Sequence, residues 1–336
     1  MPDAGHIHDD VRRLFRAVVV RTPLDYELAG RTHSVAPFGA GQSPTWSAWS
    51  VGQPPLVIDL QTRIYDEAYC RPLGSRIDPP SNPVSIIEPL SAANAGQDRW
   101  ESGWTLGQTM PNGHAMARKG ELSNVFAPGE FAAANASPLG AGAPLHVLFA
   151  RESRTQQPGF YIANGETPAP FGADSRMTRI YWHISEDGAV PLTRMVTTLL
   201  NRYQVPFRFK TLSYSGVYSR ADAAVLYFAA RYYQIVARVL PSIRAEVRKY
   251  LRPATPLLTR KLHDGIGLAE DPATGESFGM SRSRLIAKAI WDAFARGTQS
   301  EESRMMELAI QFERNGLSLD RPHLRGSSAD IYEAAA

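Results

Sequence analysis

The run VPFRFKTLSYSGVYSRADAAVLY, residues 205–227, opens with aromatic and cationic side chains in alternation. Side chains along a strand change face at every residue, so Phe207 and Phe209 fall on one side and Arg208 and Lys210 on the other. VPFRFKTL (205–212) therefore reads as a strand with one apolar and one charged face. The same period in RIYWHI (179–184) aligns Arg179, Tyr181 and His183. PLHVLFAR (144–151) and GFYIAN (159–164) are short apolar runs bounded by turn residues and also read as strands. If RIYWHI and VPFRFK pair, Arg179, His183 and Lys210 share one face. The rest of the opening run, from about Ala221, reads as a long helix that Pro241 interrupts and that resumes to about Leu251.

Upstream, Val11, Leu14, Phe15, Val18 and Val19 follow Asp9 and Asp10 as a helical stripe. Residues 35–55 read as a Gly-, Pro- and Ser-rich loop, Leu56 to Tyr69 as a helix, and Val84–Leu90 as the neighbourhood of a third. The small-residue connector AAANASPLGAGAP (132–144) suggests a division into a mainly helical part, 1–135, and a strand-rich core, 136–336, packed as one unit. Between the two central strands a helix begun by Pro191 carries Leu192, Val196 and Leu200 on one face. Helices at Leu285–Ala295 and Glu301–Asn315 complete the chain, with Gly316 as a cap. Strands grouped together and then followed by helices predict an α+β fold, its mixed or antiparallel sheet of four or more strands packed by helices.

Composition narrows the functional classes. The chain has 336 residues, a formal charge of +3 and one cysteine, Cys70, so neither a disulfide framework nor a thiolate metal cluster can form within it. Basic runs with interleaved aromatics are absent, which argues against nucleic acid as a partner. No apolar run approaches a membrane span, and the acidic start MPDAGHIHDD does not resemble a signal peptide. These features predict a cytoplasmic protein with no membrane partner. The histidines show no metal-ligand spacing, so no metal is expected.

Gly275-Glu276-Ser277-Phe278-Gly279 matches the hydrolase pattern G-x-S-x-G, but the polar LAEDPAT before it is no strand, and a structured turn is the better reading. What remains is a set of cations. The chain holds 31 arginines and only five lysines, of which Lys210 closes the FRFK alternation. An arginine keeps its proton in any protein environment, whereas a lysine can serve as a base. Arg220 and Asp222 stand where the next helix is expected to start, a position that favours an anion. Arg118 and Lys119 precede Gly120 in a basic turn, and Arg260 and Arg282 lie in the glycine-broken segment 256–284.

The ordered set RIYWHI, LLNRYQVPFRFKTL, YSRADAAVLY, PLLTRKLHDGIGLAEDP and SFGMSR, with RIYDEAYC and the RKGE…PGEF run as weaker upstream signatures, resembles the HopA-type effector domain family. That family is named for type III secreted proteins of plant pathogens. Members of this length also resemble the elimination component of class V lanthipeptide and thioamitide-like biosynthesis. The arginine-rich composition and the absence of a long secretion leader favour that branch. The resemblance implies a lyase that removes phosphate from phosphorylated Ser or Thr of a ribosomal precursor peptide, with a separate kinase-like protein as partner and no cofactor. On this reading Lys210 or Lys119 is the base and His183 or Tyr227 the acid. Arg118, Arg179, Arg208, Arg220, Asp222, Arg260 and Arg282 surround phosphate and substrate. The alternative is a non-catalytic effector or peptide-binding scaffold of the same fold.

Overall fold

The computed structural model describes residues 4–37, 52–75, 82–135, 138–168 and 176–332, so most of the expected 35–55 loop lies outside the described residues. The chain opens with α1 (Ala4–Ala17) and a small antiparallel sheet of β1 (Val18–Val20), β2 (Asp25–Leu28) and β3 (Arg31–Ser34). Helix α2 (Pro55–Ile64) runs on as a single π-helical turn, Tyr65–Tyr69, and α3 (Ile87–Ala93) follows. A five-stranded sheet comprises β4 (Arg99–Thr109), β5 (Ala115–Lys119), β6 (Leu122–Phe126), β7 (Phe131–Ala133) and β8 (Pro144–Phe149), in the order β6-β5-β4-β8-β7. The N-terminal part is therefore helical only in part. β7 and β8 pair with each other, so residue 135 lies between two paired strands.

The larger sheet contains β9 (Glu152–Ser153), β10 (Phe160–Asn164), β11 (Met177–Trp182), β12 (Phe207–Leu212), β13 (Ala224–Ala229), β14 (Arg260–His263) and β15 (Ile266–Glu270). Its order is β14-β15-β11-β13-β12-β10-β9, and every pairing is antiparallel. Helix α4 (Glu186–Arg202) links β11 to β12, α5 (Tyr233–Val247) follows β13, and α6 (Phe278–Ala295) and α7 (Glu301–Arg314) close the fold. This is the expected α+β class with an antiparallel sheet.

The four expected strands form, but several features of the central region differ from expectation, among them the helix after β13, which runs through Pro241 without interruption. β11 and β12 do not pair, because β13 lies between them. β13 is the segment expected to begin a helix. It is buried on both faces, so it has no alternation to mark it as a strand. Helix α4 begins at Glu186 rather than Pro191: Glu186 and Asp187 occupy its first turn, where negative charge is favourable, and Pro191 is accommodated inside it. The glycine-broken segment after Arg260 is the hairpin β14–β15, turned at Gly265, whose φ of +72° few other residues adopt without strain.

The large sheet is covered on both faces. Ile180, Trp182, Phe207, Phe209, Leu226 and Phe228 project into a core with the buried faces of α4 and α5. On the other face Tyr181, Val225 and Ala269 pack with apolar residues of α1, α2, α6 and α7. Trp104, Phe126, Leu145 and Val147 form a separate core in the five-stranded sheet. Ser277 of the G-x-S-x-G pattern caps α6, its hydroxyl accepting from the Met280 amide at 3.2 Å.

The C-terminal segment straps the sheet edge. Tyr332 Oη donates to Glu270 Oε1 at 2.7 Å, and the Glu270 amide donates to His323 O at 2.8 Å. His323 is buried and neither ring nitrogen has a hydrogen-bond partner among the described residues. Its Nε2 lies 3.6 Å from Asp330, too far for a hydrogen bond. Burial outweighs that carboxylate and lowers the imidazole to about 4. An unfolded histidine titrates near 6.5, so below that pH the unfolded chain takes up a proton that the folded one resists. Stability is expected to fall as pH drops from about 6.5 towards 4, by an amount of order a few kcal/mol from this residue alone. In His323→Leu, urea-unfolding curves across that range should show a shallower loss. Identical pH profiles for the two proteins would rule the effect out.

Candidate active site

Directly opposed residues in an antiparallel sheet project to the same side. One row across the sheet runs Asn164, Arg208, Tyr227, Arg179, Ala269, and the next runs Ile162, Lys210, Val225, Tyr181, Gly267. Arg179, Arg208, Lys210 and Tyr227 thus share a face although β13 separates the two expected strands. Both strands are antiparallel to β13, which keeps their alternations in phase.

Tyr227 occupies the middle of this group. The Arg179 guanidinium lies 5.1 Å from its ring centroid, and the Lys210 ammonium lies 5.7 Å from it and 4.5 Å from the Phe160 ring. Such cation–ring contacts hold a cation in place without neutralising it. Among the described residues Lys210 and Arg208 have no ion pair, and Arg208 is exposed. Arg179 is largely buried and pairs with Asp271. Burial works against its charge, but Tyr181, Tyr227 and the Asp271 carboxylate more than compensate and raise its pKa, so it stays protonated. An anion arriving beside Tyr227 would meet three cations, two of them without a carboxylate partner among the described residues.

A second polar group lies at the far end of the same face. Arg220 forks onto Asp222, with Nε to Oδ1 at 2.8 Å and Nη2 to Oδ2 at 2.9 Å, and also donates to Tyr65 Oη at 3.2 Å. Burial disfavours its charge, yet Asp222 holds the pKa above the ordinary arginine value. Asp222 precedes β13 by two residues and lies about 16 Å along the strand from Tyr227. Arg220 and Asp222 do not start a helix, as expected from the sequence, but close a buried fork. Cys70, whose thiol burial pushes up, sits 3.9 Å from Asp222 Oδ2.

His183 stands four residues beyond Arg179, roughly 13 Å along the chain. It is buried, its Nδ1 is 3.1 Å from Ala254 O, and burial lowers its pKa, so it is neutral near pH 7. The structure does not bring it into the Lys210 group. Lys119 lies on β5 of the other sheet, where its ammonium pairs with Glu101 and donates to Ser102 O at 2.9 Å; Arg118 beside it is exposed. Arg260 opposes Leu268, which opposes Ile180, so it belongs to the other face, where both Asp330 oxygens accept from its Nη1 at 2.9 Å. Arg282 is buried, donating to Pro322 O at 2.9 Å and Leu324 O at 2.8 Å, and burial lowers its guanidinium to about 10. Its donors hold the C-terminal strap rather than facing the Lys210 group.

Sequence reasoning missed Phe160 and the tyrosine ladder over this face. Tyr65 stacks on Tyr69 at 5.3 Å, and Tyr69 meets Tyr181 edge-on at 6.4 Å. The available signal was the i, i+4 spacing of the tyrosines in RIYDEAYC, which puts both rings on one helix face. Gly279 shows why this helix can lie so close to α6. A Cβ there would stand 2.4 Å from Tyr69 Cε1 and 2.7 Å from Tyr65 Cε2. Among the described residues, no group of three or more His, Cys, Asp or Glu is placed to hold a metal ion. No described helix is long and apolar enough to cross a membrane.

The strands β9 to β15 fall within a region matched by a single family. The HopA1 effector protein family model matches residues 151–324, and the chain belongs to that family. Among solved structures, the effector protein from Pseudomonas syringae pv. syringae strain 61 aligns at 16% identity over 81% of this chain and 98% of its own, with a TM-score of 0.44. The effector protein from Pseudomonas syringae pv. tomato strain DC3000 aligns at 23% identity over 50% of this chain, with a TM-score of 0.39. The chain spans 63% of that second protein's length. No curated protein matches the chain.

Proposed function

We propose that the protein is a lyase acting on phosphorylated Ser or Thr in a ribosomally made precursor peptide, in the cytoplasm, after a separate kinase-like protein has installed the phosphate. The observation that carries this reading is the placement of Lys210. It is a lysine without an ion pair among the described residues, beside a phenol and on the same sheet face as two arginines.

The reaction divides among these groups. Arg179 and Arg208 hold the phosphate dianion, with guanidinium forks suited to its oxygens. The Lys210 amine takes the α-proton as general base. The electron pair of that bond forms the Cα–Cβ double bond, and the Cβ–O bond breaks. The Tyr227 phenol gives a proton to the departing oxygen. The products are inorganic phosphate and a dehydroalanine or dehydrobutyrine residue. A positioned base and preorganised cations meet the needs of this chemistry, and neither nucleotide nor redox cofactor enters it. Lys119, the alternative base, has its ammonium occupied by Glu101 and Ser102, which favours Lys210.

The test is phosphate release from a synthetic phosphothreonine peptide by the purified protein. A lyase releases phosphate without a kinase or nucleotide, whereas a peptide scaffold or effector module binds the peptide and releases none. Dehydration of an unphosphorylated peptide by this protein alone would contradict the division of labour with a kinase.

A further inference from the structure

We propose that a cavity remote from Lys210 binds an acidic stretch of a peptide that also carries aliphatic side chains. The cavity has a volume of about 330 Å³, within the range of small ligand pockets. Its walls are α1, through Asp10, Arg13 and Leu14, the turn after the π-helical residues, through Arg71 and Leu73, the loop 253–259, and Lys261 of β14.

The hydrogen bonds around this cavity favour a ligand rich in acceptors. Three carbonyls of the loop are already used by donors of the protein itself. Pro253 O accepts from the Gly265 amide at 3.0 Å, and Pro256 O accepts from the Thr259 hydroxyl at 2.6 Å. Ala254 O lies 3.1 Å from His183 Nδ1, which must carry the hydrogen because a carbonyl can only accept. The charged groups on the wall are mostly donors. Arg71 is fixed by bonds from Nη1 to Asp66 O at 2.7 Å and from Nε to Ser219 Oγ at 3.4 Å, and a guanidinium carries five N–H groups. Arg13 is exposed on α1 and has no ion pair among the described residues. Lys261 shares its charge with Asp264 at 2.7 Å, and among the described residues Asp10 is the single carboxylate lining the cavity. Leu14, Leu73 and Leu257 have nothing to offer an inorganic anion, but they suit an aliphatic residue next to an aspartate or glutamate.

This inference rests on the reading that the substrate is a peptide, and it adds a constraint on that peptide. β14 and β12 are four strands apart, or about 19 Å between Lys261 and Lys210 at the ordinary strand spacing. An extended chain covers about 3.3 Å per residue, so the acidic stretch must lie at least about six residues from the phosphorylated one.

The experiment measures fluorescence anisotropy of a labelled, unphosphorylated peptide of alternating glutamate and leucine. Wild-type protein, Arg13→Glu and Arg13→Lys are compared, with thermal unfolding to verify that each variant folds. Arg13→Glu should weaken binding by about tenfold or more, Arg13→Lys should retain most of it, and added salt should weaken it further. Elimination from a short phosphothreonine peptide lacking the acidic stretch should be the same in all three. Equal affinities of wild-type protein and Arg13→Glu for the labelled peptide would overturn the proposal. So would binding of inorganic phosphate dependent on Arg13 with no binding of the peptide. Arg13-dependent peptide binding by a protein that eliminates nothing would uphold the cavity and overturn the lyase reading instead.

Discussion

Lys210→Arg is expected to bind a phosphothreonine peptide about as well as the wild-type protein and yet release phosphate ~10²–10⁴-fold more slowly, the usual contribution of a positioned general base. The substitution keeps the positive charge and the position between Phe160 and Tyr227, where a guanidinium can stack as the ammonium does. It removes the ability to give up a proton and act as a base. Single-turnover phosphate release, with binding followed separately, distinguishes the cases. If Lys210 serves only to hold phosphate, arginine should perform tolerably, because guanidinium recognises phosphate well. Near-normal release by Lys210→Arg would therefore end the base assignment.

The second large effect is on stability. Arg282→Ala should cost about 3 kcal/mol or more, because it leaves the buried carbonyls of Pro322 and Leu324 without donors and each such group costs ~1–3 kcal/mol. It also removes a guanidinium lying 4.8 Å from the Phe278 ring centroid and 5.6 Å from that of Phe312. A shift of the urea-unfolding midpoint reports the loss, with the C-terminal strap becoming sensitive to proteolysis. If Arg282 were a phosphate ligand, the substitution would lower activity and leave the midpoint where it was.

These two residues show how far the sequence could be read. That Lys210 and Arg179 share a sheet face is legible because strand alternation is a local property, written in the order of residues, and it survives an intervening strand. The intervening strand itself was not readable. AVLYFA is apolar on both sides, and an apolar run in a doubly covered sheet has the same composition as a buried helix. Arg282 and Arg260 were grouped with the site because a cation in a glycine-broken segment carries no mark of its partner. Only the fold reveals that one donates to the strap and the other pairs with Asp330 on the opposite face. His183 was on the right face but too far along it. Its four-residue separation from Arg179 was visible in RIYWHI, whereas its burial against Ala254 depends on a loop seventy-one positions away. Two of the quoted runs also gain a physical meaning: the glycine of SFGMSR is the point at which α6 meets the tyrosines of RIYDEAYC.

The identity of the peptide product tests the central claim most directly. Purified protein is incubated with a phosphothreonine peptide, without nucleotide, and the peptide mass is determined before and after addition of a small thiol. Elimination leaves a dehydrobutyrine residue, lighter than the original threonine by one water, and the thiol then adds across the new double bond. A peptide that returns to the mass of unmodified threonine and does not react with thiol would identify a phosphatase. A peptide that binds and keeps its phosphate would identify a scaffold, and either result would contradict the account.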